Sequence, residues 1–193
     1  MNPWYAKALV LAGMVAMVAI RAPHGHRSMK VKVAKSRKGR RETVLLTIAW
    51  LGFFVPVFWI ATPWFAFAEF PLHPAALALG AATMALGLWI FHQSHVDLGT
   101  NWSITLEVRE QHRLITNGVY RRVRHPMYFA LILYSVGQAV ATPNWIAGPS
   151  YLAAIGLLFA LRVGPEERMM REEFGADYEA YSARTKRLIP GVW

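Results

Sequence analysis

The sequence has no cysteine, which excludes disulfides, thiolate metal sites and cysteine nucleophiles. Charge is scarce as well: charged residues make up 17% of the chain, where a soluble domain carries about a quarter. Acidic residues are the rarer sign, 11 against 21 lysines and arginines, for a formal net charge of +10. Also missing are a Walker phosphate loop, an H-E-x-x-H zinc pair and a G-x-S-x-G elbow. No Gly-x-Gly-x-x-Gly turn follows a strand, so a Rossmann-type cofactor site has no support. Internal repeats and low-complexity tracts are absent. No basic n-region precedes Trp4 and no small-residue cleavage site follows Ile20. Residues 4–20 therefore read as a retained membrane helix rather than a leader.

What the chain does have is apolar length. Hydrophobic residues make up 55% of its 193 positions, and the mean hydropathy is +0.27. Five apolar segments stand out: 4–20, 44–67, 75–91, 127–141 and 145–163. A membrane span needs about 20 apolar residues, with about 17 as a lower limit. The expected fold is therefore an all-α integral membrane protein of about five transmembrane segments. The fourth segment is short, so the hairpin 127–163 either crosses the bilayer tilted or dips in and returns.

The charges fall into a pattern that decides what the basic excess means. All lysines and arginines except Lys7 lie in 21–41, in 109–124, or from Arg162 onward. In a five-span layout these regions share one side, and the opposite loops, 68–74 and 142–144, carry none. The positive-inside rule makes the basic side cytoplasmic, with the N-terminus outside and the C-terminus inside. Trp4, Trp64 and Trp145 fall at the outer ends of segments, where indoles favour the headgroup level. The bilayer thus accounts for the charge, and nucleic acid is not expected as a partner. Gly80 and Gly87, seven apart in the third segment, read as a face for close helix packing.

The chain is expected to be one domain, 1–193, in two parts: 1–96 with three spans and a basic loop, and 97–193 with a cytosolic polar region and two spans. Within the second part, Asp97-Leu98-Gly99-Thr100-Asn101-Trp102 reads as a turn and Ile104-Thr105-Leu106-Glu107-Val108 as a short extended piece. Residues 165–174 read as a helix ending at Gly175, a C′ position, with a second short helix near 177–184. Three constellations can carry chemistry. His125 precedes Pro126, is pushed out of the helical region and stands at the entrance of the fourth segment. It reads either as an interfacial anchor or as a ligand-contacting imidazole with Tyr128 beside it. Arg162 and Glu166 share a face if the helix survives Gly164-Pro165, and read either as a plain ion pair or as a clamp for a carboxylate. His92 and His95 are three apart with no further ligand cluster, so no metal site is expected.

The blocks Asp97-Leu98-Gly99-Thr100-Asn101-Trp102-Ser103, Gly118-Val119-Tyr120, Arg124-His125-Pro126-Met127-Tyr128 and Glu166-Glu167, followed by Phe174-Gly175 and Tyr178 and Tyr181, resemble the isoprenylcysteine carboxyl methyltransferases in their compact prokaryotic form. The likeness is detailed from Asp97 onward, while the first three spans match in size and hydropathy. It implies a multi-pass membrane enzyme that uses S-adenosyl-L-methionine, releases S-adenosyl-L-homocysteine, and has a cytosolic C-terminal cofactor pocket. The implied reaction is methyl transfer to the carboxylate of a lipid-like acceptor, with a C-terminal S-isoprenylcysteine as reference. Related motifs occur in enzymes that methylate phospholipid amines or small thiols, so those acceptors are the alternative.

Carried over residue by residue, the resemblance implies cofactor contacts at His112, Arg113, Leu114, Ile115, Tyr120, His125, Pro126, Met127, Tyr128 and Glu166. Thr105 is a looser further position. Arg162 falls on the substrate-binding arginine and is the implied catalytic position. Arg121, Arg122 and Arg124 are left to topology. The chemistry fits these roles, because a carboxylate is ionised at neutral pH and needs no strong general base. Donor sulfonium and acceptor anion cancel as the methyl moves in line, which a dry, preorganised pocket favours. The physiological acceptor, the oligomeric state and the route of lipid access are not written in the sequence.

Overall fold

The computed structural model describes residues 1–193 except Met29, Val31, Arg37, Lys38, Leu106, Glu110, Gln111, His112 and Trp193. Five helices carry the fold: α1 (Trp4–Ser28), α2 (Arg40–Ala61), α3 (Pro74–Leu98), α4 (Pro126–Ala141) and α5 (Ser150–Arg184). Beside them lies one antiparallel ribbon, β1 (Val33–Ser36) with β2 (Glu107–Arg109), pairing Val33 with Arg109 and Ser36 with Glu107 across a bulge. The extended piece expected at 104–108 is thus realised as the shorter strand Glu107–Arg109, and its partner comes from the basic connector that showed no periodicity. α1, α2 and α3 are long and apolar enough to cross a membrane, and α4 is a shorter apolar helix. At 1.5 Å per residue α4 spans about 24 Å, short of the ~30 Å hydrocarbon layer.

The boundaries differ from expectation for tertiary reasons. α1 continues beyond Ile20 to Ser28, through Pro23, because its last turns have partners. Ser28 Oγ donates to the carbonyl of Trp102, and the His24 ring lies 5.2 Å from that of His95. α2 stops at Ala61 rather than running to 67; Pro63 follows, and residues 66–68 form a 3₁₀ turn. That turn is tied to the connection between α4 and α5. Trp145 N donates to Ala68 O at 3.0 Å, and Asn144 Nδ2 donates to Phe65 O at 2.7 Å. α5 runs unbroken through Gly164-Pro165, and its one non-helical residue is Gly175 (φ 50°), the position expected to end it. A left-handed φ without a Cβ penalty explains the glycine there. Tyr178 and Tyr181 follow on the second limb.

The core is built where α3 and α4 nearly touch. A Cβ on Gly87 would lie 2.6 Å from Tyr134 N, and one on Gly80 would lie 2.6 Å from Gly137 O; Gly137 faces back at 2.6 Å from Met84 N. Backbone therefore meets backbone, the arrangement small residues permit between helices in a bilayer. Val10, Met14, Phe53, Met84, Tyr134 and Ile155 close the core around this contact. Meanwhile Leu51, Phe54, Phe58, Leu79, Leu86 and Trp89 point outward and are exposed, an apolar surface too broad for water contact alone.

This packing predicts a contrast between two glycines. Gly87→Val forces backbone apart and is expected to cost more than the ~1–3 kcal/mol of ordinary overpacking. Gly156→Ala, where a Cβ meets nothing within 4 Å, is expected to be neutral or stabilising by about 0.5–1 kcal/mol. Thermal unfolding in detergent checks both, and equal melting temperatures for the two variants would refute the close-packed interface.

Candidate active site

The polar site is assembled by a clasp between the 118–125 loop and the far end of α5. Gly118 takes φ 55°, and a Cβ there would overlap the Asp97 carboxylate, which accepts from Val119 N at 2.8 Å. Asp97 thereby fixes the start of the loop on the end of α3. On the other side, Arg124 N donates to Lys186 O at 2.8 Å and His125 N donates to Arg187 O at 3.1 Å. Tyr181 Oη donates to Tyr120 O at 2.7 Å. Burial raises the Tyr181 hydroxyl to about 12, so it remains a neutral donor.

At the centre of the clasp is Glu167, almost fully buried. Its Oε1 accepts from Arg124 Nε at 3.0 Å and Arg187 Nε at 3.1 Å and lies 3.3 Å from His125 Nε2. Oε2 accepts from Arg187 Nη2 at 2.9 Å. Arg171 stands 3.9 Å away, one turn along α5. Burial alone would raise the Glu167 carboxyl, but the bonds from His125, Arg187 and Arg124 hold it well below the usual carboxylate range. This corrects the assignment of Arg124 to topology. Its guanidinium also donates to the carbonyls of Ser182 and Thr185, so it is a strut, whereas Arg121 and Arg122 are exposed.

Beside the clasp lies a cavity lined by Arg113, Leu114, Ile115, Tyr120, His125, Met127, Tyr128, Arg162 and Glu166. The looser position Thr105 also lines it. Pro126 is buried as the first residue of α4 and supports this wall without lining it. His112 lies outside the described residues. His125 stands at the N-cap of α4 but makes no side-chain cap; its ring instead bridges Glu167 and Glu166, with Nδ1 3.7 Å from Glu166 Oε1. Glu166 also accepts from Tyr128 Oη at 2.9 Å. Because α5 stays helical through Pro165, Arg162 Nε lies 3.9 Å from Glu166 Oε2, one turn away.

Sequence reasoning missed three contributors. Arg162 Nη2 lies 3.4 Å from Oε1 of Glu42, buried in the first turn of α2. The available signal was a lone acidic residue directly after the longest basic run. Trp102 is buried; its Nε1 donates to Met127 Sδ at 3.3 Å, and its ring packs 5.0 Å from that of His95. His95 Nδ1 is engaged by Phe91 O at 2.8 Å. Third, the cavity continues into apolar wall from α1 and α2, including Met17, Val18, Leu46, Ala49 and Phe53. One cavity thus joins a charged end to an oily end.

Glu167 sets a pH dependence with a definite sign. A lowered carboxyl pKa contributes stability that is full above the unfolded value of about 4.5 and is lost as pH falls below it. Glu167→Gln leaves the arginines without their anion and is expected to cost about 3–5 kcal/mol near neutrality. The gap between wild type and variant, read by thermal unfolding, should be constant above about pH 5.5 and narrow below about pH 4.5. A gap independent of pH would show that Glu167 acts by shape alone.

Comparison with known proteins agrees with this architecture. The sequence profile of the Isoprenylcysteine carboxyl methyltransferase (ICMT) family matches residues 72–172. A protein-S-isoprenylcysteine O-methyltransferase B from Arabidopsis thaliana is 30% identical over 115 residues, 58% of this chain and 58% of that protein. A probable protein-S-isoprenylcysteine O-methyltransferase from Oryza sativa subsp. indica is 29% identical over 116 residues, 59% of this chain and 61% of the relative. The human protein-S-isoprenylcysteine O-methyltransferase is 33% identical over 96 residues, 49% of this chain and 34% of its own length. The matched part thus spans less than two thirds of these relatives. A solved structure described as the eukaryotic intramembrane Ras methyltransferase ICMT superposes with a TM-score of 0.54 at 24% identity, covering 81% of this chain and 54% of the other, which shows a shared fold. With more than half of its length matched by the profile, the chain belongs to the isoprenylcysteine carboxyl methyltransferase family.

Proposed function

We propose that this chain is an integral membrane methyltransferase that forms the methyl ester of a lipid-anchored carboxylate, with a C-terminal S-isoprenylcysteine as acceptor. The observation that carries the reading is the pairing of Arg162 and Glu166 on one turn of α5, facing one cavity with a polar and an apolar end. S-adenosyl-L-methionine supplies an electrophilic methyl on a sulfonium, and the donor set suits such a ligand. Glu166 answers the ammonium of its amino-acid portion. Tyr128 Oη and the His125 ring hold the Glu166 carboxylate in place. Arg113, Leu114, Ile115, Tyr120 and Met127 form the rest of the cofactor wall, with Pro126 behind it and His112 adjoining Arg113 in the chain.

Arg162 is the acceptor-binding group. Its Nε is buried and has no hydrogen-bond partner among the described residues, so it has a donor to give to a carboxylate. Holding an already ionised acceptor in line is a positioning effect. The apolar walls exclude water, which strengthens the attraction between acceptor anion and donor cation as their charges cancel. The apolar end between α1, α2 and α5 accommodates the prenyl tail. In this reading the five helices are membrane segments, the basic ends lie on the cytoplasmic side with the active site and C-terminus, and the N-terminus lies outside.

Detergent-purified protein is expected to transfer labelled methyl from S-adenosyl-L-methionine to N-acetyl-S-farnesylcysteine. Retained cofactor binding without transfer would point to another acceptor, such as a phospholipid amine or small thiol. No cofactor binding would sink the assignment. Within the site, Arg162→Ala is expected to lower turnover by about 10²-fold or more while cofactor binding survives. Glu166→Ala is expected to weaken cofactor binding by about 10- to 100-fold, the loss of one charge-assisted contact. Near-wild-type turnover in the first variant, or unchanged cofactor affinity in the second, would refute the respective role.

A further inference from the structure

We infer that Arg21, at the inner end of α1, is a second acceptor-binding guanidinium, which holds the ligand's carboxylate together with Arg162. The inference rests on the acceptor reading given above and deepens it. As a member of the basic loop Arg21 would be expected to reach into water. It lines the cavity instead, partly buried, its guanidinium carbon 5.2 Å from the centre of the Trp102 ring and 5.9 Å from that of Trp50.

Charge compensation separates the two arginines. Arg162 has Glu42 at 3.4 Å and Glu166 at 3.9 Å. No carboxylate among the described residues forms an ion pair with Arg21, and its buried Nε lacks a hydrogen-bond partner. The ring faces offset only a modest part of that deficit. Arg162 and Tyr151 line the same cavity. Among the described residues Tyr151 Oη gives only to Met17 Sδ, at 3.7 Å, a weak acceptor. Two like charges and an under-used hydroxyl bordering one cavity are stabilised by an anion between them. Arginine suits that task because its planar fork matches a carboxylate. Val18, Leu46 and Phe53 border the same cavity, so the anion fits as the head of an apolar molecule. Glu42 keeps Arg162 from presenting a full charge, and Arg21 supplies the cation the acceptor then needs.

The test measures binding rather than turnover. With S-adenosyl-L-homocysteine bound, the affinities of N-acetyl-S-farnesylcysteine and of its uncharged carboxamide are compared in wild type, Arg21→Gln and Arg162→Gln. Wild type should prefer the acid, and Arg21→Gln should lose on the order of tenfold of that preference with S-adenosyl-L-homocysteine affinity unchanged. Arg162→Gln should keep a residual preference that the double variant lacks. Arg21→Lys should recover part of the preference, as a charge without the fork. Equal affinity for acid and amide in wild type, or a full preference in Arg21→Gln, overturns the inference. Should Arg21→Gln fail to bind S-adenosyl-L-homocysteine, the Arg162→Gln arm decides: no residual preference overturns the inference, and a residual preference sustains it. A wild type that prefers the acid yet transfers no methyl leaves the anion site standing while the function fails. Transfer with an unaffected Arg21→Gln does the reverse.

Discussion

The site depends on one buried carboxylate. Glu167 lies where α5 leaves the apolar bundle, and around it gather Arg124 and His125 from the loop before α4 and Arg187 from beyond the helix. Each of these partners is far from it in sequence, so the ion cluster is also the device that closes the polar end of the bundle. Taking such charges out of water is costly unless every donor is used. Here the two oxygens share four close donor contacts. Remove the anion and the loop, the helix end and the C-terminal segment lose their common anchor together. The His125 ring contacts both Glu167 and Glu166, so the structural anchor and the proposed cofactor wall are mechanically one unit.

α5 transmits that anchorage into the cavity. A helix interrupted at Gly164-Pro165 would have let Arg162 and Glu166 rotate apart. Proline removes one backbone hydrogen bond and crowds the preceding turn, yet the helix continues, so the two side chains stay one turn apart. Pro165 and Gly164 are half-buried, and neighbours on both sides hold the segment: Glu42 grips Arg162 from α2, and the Glu167 cluster grips the next turn. Surrounding ion pairs therefore override the local sequence preference. In the proposed reading the site holds an anion in line and gains from this rigidity, because loose positioning forfeits most of the advantage of binding the reactants together.

Much of this was legible in the sequence because the bilayer makes a few strong demands. Apolar length gave five helices, and Gly80 and Gly87 gave a close-packing face whose partner, α4, they did not name. The Asp97 carboxylate accepts from Val119 N beside Gly118, which joins two of the blocks that carry the resemblance. What escaped were contacts made at long range. Glu42 is a single acidic residue directly after a basic run, and nothing within its own segment says that it faces a residue 120 positions away. Arg21 looked like one more cytoplasmic charge, since counting charges per side cannot distinguish an arginine in water from one turned into a cavity. The α1 extension to Ser28 likewise depends on Trp102 and His95, which belong to a different part of the chain.

The distribution of these residues suggests a division of labour. The stretch matched by the family profile, 72–172, contains the loop before α4, Arg162 and Glu166, which in the proposed reading bind the cofactor and one edge of the acceptor. Glu42, Arg21, Trp50 and much of the apolar wall come from α1 and α2, outside that stretch. A cofactor of fixed chemistry constrains its wall to a fixed set of donors. An acceptor is constrained only by the position of its reacting atom and by the shape and polarity of the rest. Among the described residues α1 and α2 contribute no group to the Glu167 cluster, so their cavity-facing side chains can change without removing a donor from that anchor. Acceptor selectivity is therefore expected to reside in the N-terminal helices, with Glu42 setting how much of the Arg162 charge an incoming anion meets.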